Sequence, residues 1–221
     1  MLRSLIKILS LTSLAVLVVS CTPGMFRGLK SAGKDFTGEK AKLFRAGEHQ
    51  SLVYKTTVHF REREFSSLTY VNALNDSVFK IVLLSTFGNT LLEAEISGQE
   101  FKVDNVISYL DRKPILKLVE KDWRLLLGPN FSPEIPAIFS ESPGETVFCF
   151  GSKRSHRLYH YDAGSKAVKQ IEAFKGKRKK TVVTADSQNN FHPEKFSMEH
   201  EALKLKITFS LLDKVSDDSP E

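Results

Sequence analysis

From Ser51 onward, apolar residues of this chain recur at every second position, a pattern that a half-buried strand requires and a helix cannot use. Leu52, Tyr54, Val58 and Phe60 fall on one face, with Lys55, Thr57, His59 and Arg61 on the other. The alternation is cleanest near the end, where Leu203, Leu205, Ile207, Phe209 and Leu211 alternate with Lys204, Lys206, Thr208 and Ser210. Between these two stretches, Arg61 to Glu64, Asn75-Asp76, Gly88-Asn89, Ser97-Gly98, Ala163-Gly164 and Lys175-Gly176 read as turns. They delimit short strands over 65–74, 77–87, 91–97, 100–104, 146–151, 156–162, 166–174, 181–185 and 196–200. Ser77 to Phe87 is apolar on both faces, which predicts a central strand covered on each side. The expected fold is mainly β (α+β): one large antiparallel sheet of about ten strands, curled into an incomplete barrel.

One stretch breaks the period. Asn105 is a plausible N-cap for 106–112, and Ile115 to Leu127 has helical spacing after Pro114. Ile115, Leu118, Val119, Trp123, Leu126 and Leu127 make an apolar stripe, while Lys117, Lys121 and Arg124 face elsewhere. A helix with so much apolar surface must lie on something, and the concave face of the sheet is the natural place. After Gly128-Pro129, the segment to Gly144, with Pro133, Pro136 and Pro143, reads as an irregular loop. Many of the sixteen Phe sit at inward positions, where they either fill a core or line a pocket.

The amino terminus decides location. Arg3 and Lys7 precede the apolar run Ile8 to Val19, which ends Val18-Val19-Ser20-Cys21. A charged start and an apolar core of about a dozen residues form a secretory signal, too short to span a bilayer comfortably. The tetrapeptide resembles the lipobox of bacterial lipoproteins, which implies cleavage after residue 20 and acylation of Cys21 by palmitate-class chains. Each buried methylene contributes about 0.8 kcal/mol, so two or three chains make attachment effectively permanent. Thr22 follows in place of the Asp that retains lipoproteins in the inner membrane, which implies the outer membrane, facing the periplasm. Residues 21–48, rich in Gly, Lys, Ser and Thr, read as the acylated Cys and a flexible tether, with a short helix near Lys40 to Arg45. Residues 49–215 form one domain, and 216–221 a loose acidic tail. Only two cysteines exist, so Cys149 is left without a partner and reads as a buried thiol.

The chain resembles the lipoprotein-sorting fold shared by the periplasmic carrier and the outer-membrane receptor of the bacterial Lol pathway (the LolA/LolB-like fold). The residues that carry the resemblance are Ile81 to Leu92 with its turn at Gly88-Asn89, the hairpin through Gly98, the helical insert, and His192-Pro193-Glu194-Lys195-Phe196 before the last strand. The Trp- and Pro-containing segment that follows the central helix in the receptor is absent, so the chain resembles a LolB-like relative. The resemblance implies a half-barrel whose apolar hollow, lidded by helices, accepts acyl chains. It also implies an exposed apolar side chain on an early loop, here Phe87 in Thr86 to Asn89; packing of Phe87 under the turn is the other reading.

The expected function is a non-enzymatic lipoprotein that binds an acyl chain, a lipid or a lipidated cargo and assists envelope transport or assembly. Its predicted lining is Tyr54, Val58, Phe60, Phe79, Ile81, Leu83, Trp123, Leu126 and Phe209. The alternative is a structural lipoprotein that docks an envelope protein complex. Lys177, Arg178, Lys179 and Lys180, with Lys175, form the one dense basic cluster, either a solvated turn or a contact for anionic headgroups. The net charge of +6 is modestly basic and favours anionic lipid surfaces more than nucleic acid, and the export signal argues further against a nucleic-acid partner. No cofactor or metal is expected: His156 and His160 lie roughly 13 Å apart along a strand, too far to share an ion. No phosphate loop, nucleophile elbow or zinc signature is present.

Overall fold

The computed structural model of the chain describes residues 30–31, 42–44, 50–75, 77–98, 100–131, 136–186 and 192–216. The segment read as a signal peptide, Cys21 and the acidic residues beyond 216 lie outside the described residues, as does most of the segment read as a tether. The described residues form one antiparallel sheet of thirteen strands. In chain order these are β1 (Lys30–Ser31), β2 (Gln50–Phe60), β3 (Arg63–Asn75), β4 (Val78–Ser85), β5 (Thr90–Ser97) and β6 (Phe101–Val106). There follow α1 (Lys113–Leu126), a 3-10 turn at Gly128–Phe131, then β7 (Ala137–Ser142), β8 (Glu145–Ser152), β9 (Ser155–Asp162) and β10 (Ala167–Lys175). The last three are β11 (Arg178–Asp186), β12 (Lys195–His200) and β13 (Leu205–Ser216).

The spatial order is β1-β7-β8-β9-β10-β11-β12-β13-β2-β3-β4-β5-β6. Two meanders are therefore joined by the pairing of β13 with β2, in which Leu205 faces Phe60 and Ser216 faces Gln50. The remaining ends do not pair with each other, so the sheet stays open. The chain leaves β6 at one edge and re-enters at β7 near the other, so the connection must cross a face of the sheet. The face it takes is the apolar one, because α1 buries Trp123, Leu125 and Leu126. Pro114 in the first turn suits the helix start, where backbone N–H groups lack intrahelical acceptors.

Cross-strand partners share a face, and one inner row runs Phe196, Phe209, Thr56 and Ser67 across four strands. Phe196 and Phe209 stack at 4.3 Å, Tyr54 meets Phe196 edge-on at 5.4 Å, and Trp123 reaches Phe209 at 6.2 Å. Several buried polar groups are paired. The Tyr54 hydroxyl donates to the Pro193 carbonyl at 3.0 Å, the Tyr159 hydroxyl to the Leu125 carbonyl at 3.1 Å, and Thr56 and Thr69 share a hydrogen bond of 2.5 Å.

The structure departs from the expectation in four places. There are thirteen strands where about ten are expected, because β1 is a two-residue bridge and β7 lies within the proline-rich segment. Pro136 and Pro143 flank β7 without entering it, where they cost no ladder hydrogen bond. Asn105 is not an N-cap: it pairs with Glu93 inside β6, and the helix begins at Lys113 with no side-chain cap. Finally, Leu43 and Phe44 are buried in the core, Phe44 edge-on to Tyr54 and Phe196, so part of the segment read as a tether packs into the domain.

The outer face holds one buried charge. Glu172 on β10 is paired with Lys179, accepts from Gln170 at 3.0 Å, and lies 3.6 Å from His160. His160 above all, then Lys179, holds its carboxyl down at about 2 against the opposing effect of burial. A carboxylate held below its unfolded value of 4.5 stabilises the fold above that pH, and the contribution is lost as pH falls toward 2. The urea midpoint of the parent chain should therefore fall between pH 5 and pH 2.5 more than that of Glu172→Gln. Equal falls would refute this assignment.

Candidate functional site

Because neighbouring strands alternate in direction, every second hairpin tip falls on the same rim. The turns between β2 and β3, β4 and β5, β8 and β9, β10 and β11, and β12 and β13 share one rim. Adjacent tips touch: Arg61 N–H donates to the Lys204 carbonyl at 3.3 Å, and Gly176 N–H to the Arg154 carbonyl at 2.8 Å. This rim is basic. It carries Arg61, Arg63, Lys153, Arg154, Lys175, Lys177, Arg178 and Lys204 against Glu62 and Glu201. Among the described residues the turns of the opposite rim are mainly acidic, with Glu100, Glu145, Asp162, Asp186 and Glu194 against Lys166 and Lys195.

Two of the basic tips enclose a groove of about 1060 Å³ lined by Phe60, Phe65 and Leu203 together with Arg61, Glu62, Arg63, Ala202 and Lys204. Phe60, Phe65 and Leu203 are exposed large apolar side chains, and the Arg61 guanidinium lies 5.3 Å from the centre of the Phe60 ring. The inner row of β2 and β13 leads into this groove through half-buried Val58 and Ile207, which face each other across the ladder. Beyond the cover given by α1, the apolar face thus comes to the surface with cations beside it. Phe87 projects from a neighbouring tip and is 91 % exposed, so it does not pack beneath its turn.

The residues expected to line a hollow divide into two groups. Tyr54, Phe79, Ile81, Trp123, Leu126 and Phe209 are buried in the core, several in direct ring contact. Val58 and Leu83 are half-buried, and Phe60 stands on the rim. In the basic cluster, Lys177 and Arg178 are exposed at the tip, Lys179 is tied to Glu172, and Lys180 turns toward the helix side.

A polar triad inside the fold has no counterpart in the sequence reading. His200 on β12 lies 2.9 Å from Asp122 of α1 through Nε2 and 3.2 Å from the Thr181 hydroxyl through Nδ1. All three are buried, so the Thr181 hydroxyl is not open to a substrate. What the arrangement does is fasten the helix to the sheet. Burial raises the Asp122 carboxyl above its ordinary value, with His200 pulling it back. The visible signal is Asp122 itself: it sits three and four residues after Val119 and Leu118, on the apolar stripe, where an acid needs a buried partner. Among the described residues no group of acidic, His and Cys side chains is arranged to hold a metal. Cys149 is partly buried, and burial raises its thiol pKa.

Comparison with known proteins bears on the fold. No family model and no curated protein matches the chain. Among solved structures, it is similar to a LolA superfamily protein from Nitrosomonas europaea, with a TM-score of 0.57 and 13 % identity over 82 % of this chain and 92 % of that one. It is also similar to a domain described as an outer-membrane lipoprotein-sorting protein from Vibrio parahaemolyticus, with a TM-score of 0.53 and 9 % identity over 83 % and 92 % of the two chains. The chain has a LolA/LolB-like fold.

Proposed function

We propose that this protein is a non-enzymatic lipoprotein of the bacterial outer membrane, anchored through acylated Cys21, that takes an acyl chain or lipidated cargo at its basic rim. The observation that carries the reading is the groove where Phe60, Phe65 and Leu203 lie open beside Arg61, Arg63 and Lys204. An amphiphile with an anionic head and an apolar tail matches that pairing of surfaces. The relatives of similar fold include a lipoprotein-sorting domain, which accords with such cargo. Phe87, Lys177 and Arg178 stand on the same rim and would touch the headgroups of an anionic bilayer, each cation contributing about 1 kcal/mol.

Uptake of a fluorescent fatty acid tests the reading. The parent chain is expected to bind it, and Phe65→Ser with Leu203→Ser to weaken binding about tenfold or more through lost apolar burial. Absence of uptake by the parent chain would remove the carrier. Binding to vesicles containing phosphatidylglycerol should weaken about tenfold or more in Lys177→Ser/Arg178→Ser and fall with added salt. Unchanged vesicle affinity would take these tips away from the membrane.

A second reading is supported by the core. Since Tyr54, Phe196, Phe209 and Trp123 pack on one another, the fold also suits a filled scaffold whose surfaces dock an envelope protein complex. Co-purification of a stoichiometric protein partner, with no lipid uptake, would favour it.

A further inference from the structure

A second groove, of about 630 Å³, lies between α1 and the ends of β9, β10 and β11. Its helix wall presents Lys117, Lys121 and Arg124, spaced so that all three fall on one side of α1. Facing them are Arg154 and Arg157, with Lys175 and Lys180. Lys180 is the unmatched residue of a β-bulge: Ala173 pairs with Thr181 and Phe174 with Lys179. Bulges re-aim side chains, and this one adds a cation to the wall.

Two rows of like charge facing each other across a confined groove repel unless an anion lies between them. Elsewhere on the sheet several lysines have acidic partners, as Lys80 with Glu93 at 2.6 Å, Lys169 with Asp162 at 3.1 Å and Lys206 with Glu199 at 2.6 Å. In the groove, Lys117, Lys121, Arg154, Arg157, Lys175 and Lys180 make no ion pair with any described residue. Glu120, the one acid in the lining, is already held by Arg124 at 2.9 Å. The inner wall is Leu125, Ala173 and Phe174, so a ligand's charge would be partly shielded from water, where it interacts more strongly with the cations.

We propose that this groove binds a phosphate-bearing anion of more than one negative charge, a phosphomonoester or a diphosphate. Guanidinium groups match phosphate oxygens in pairs and lysines supply point charges, so two arginines among lysines suit such a group. A single carboxylate would leave most of these cations unpartnered. The ring in the wall, Phe174, is stacked on His156 at 4.8 Å, so it offers no free face to a nucleic-acid base. This proposal does not rest on fatty-acid uptake at the rim: either can fail while the other stands.

Inorganic pyrophosphate is the probe, titrated by calorimetry into the full chain held in neutral detergent micelles. Saturable binding is expected, weakening as salt is raised. Arg157→Gln with Lys121→Gln, on opposite walls, should weaken it at least tenfold. Arg154→Gln with Lys175→Gln, both at exposed positions, provides a second variant whose fold is not at risk and should do the same. Lys102→Gln, outside the groove, should leave binding unchanged. The phosphate source is then read by doping the micelles with phosphatidic acid. Displacement of pyrophosphate assigns the groove to a lipid headgroup, and retention of pyrophosphate assigns it to a soluble phosphate compound. No saturable binding by the parent chain, or groove variants that bind as tightly as the parent, overturns the proposal.

Discussion

Trp123→Ala is expected to lower the free energy of unfolding by about 3–5 kcal/mol, the range for removing a large aromatic side chain from a packed core. Trp123 is 4 % exposed and is the helix residue that meets Phe209 on the sheet. Its loss leaves a cavity between the helix and the sheet, and that cavity cannot close unless the helix shifts. Phe87→Ser is the matched control, since it removes an aromatic ring that packs on nothing, and it should change stability by no more than about 0.5 kcal/mol. Urea unfolding followed by circular dichroism checks both. A loss below about 1 kcal/mol for Trp123→Ala would mean that the helix is not held through this side chain.

Asp122→Ala should be comparably severe, about 3–5 kcal/mol, because it leaves His200 buried without its partner. Replacing both by apolar residues, Asp122→Leu with His200→Leu, should recover most of the loss, since no polar group is then stranded. If the double variant were as unstable as the single one, packing and not the pair would be what matters. The pH dependence has the opposite sign to that of Glu172. A carboxyl whose folded pKa is raised binds its proton more tightly in the native state, so its contribution is present below the ordinary value of 3.8 and is lost as pH rises through the folded value. Asp122→Asn should remove that slope, and urea midpoints taken between pH 3 and pH 6 would reveal it.

The elements that could be read in advance are those whose two faces meet different surroundings. β2 and β13 each have a packed face and a wet one; the alternation places β2 almost to the residue, whereas β13 starts at Leu205, after Leu203 in the turn, and runs past Leu211 to Ser216. β7 is hidden in the sequence because Pro136 and Pro143, which only bracket it, give its surroundings the composition of a loop. Leu43 and Phe44 were hidden by the Gly- and Lys-rich residues around them, although both are buried. The rim was half legible: Phe87 and the basic turn stood out singly, yet only the ladder order puts them at the same end. The phosphate groove was not legible at all. Lys117, Lys121 and Arg124 look like an ordinary wet helix face until Arg157 and Lys180 are found opposite. Asp122 and His200 lie far apart in sequence, and nothing local couples them.

The joining of β13 to β2 also bears on how the chain comes to be folded. The long second strand has its most extensive ladder with a strand that lies far along the chain, at the end of the second meander, so the sheet cannot be completed by pairing sequence neighbours alone. Closing so wide a loop is slow, and it sets the pace of folding. A chain of this design can form its two meanders separately, and holds them as one sheet only when that single distant seam zips.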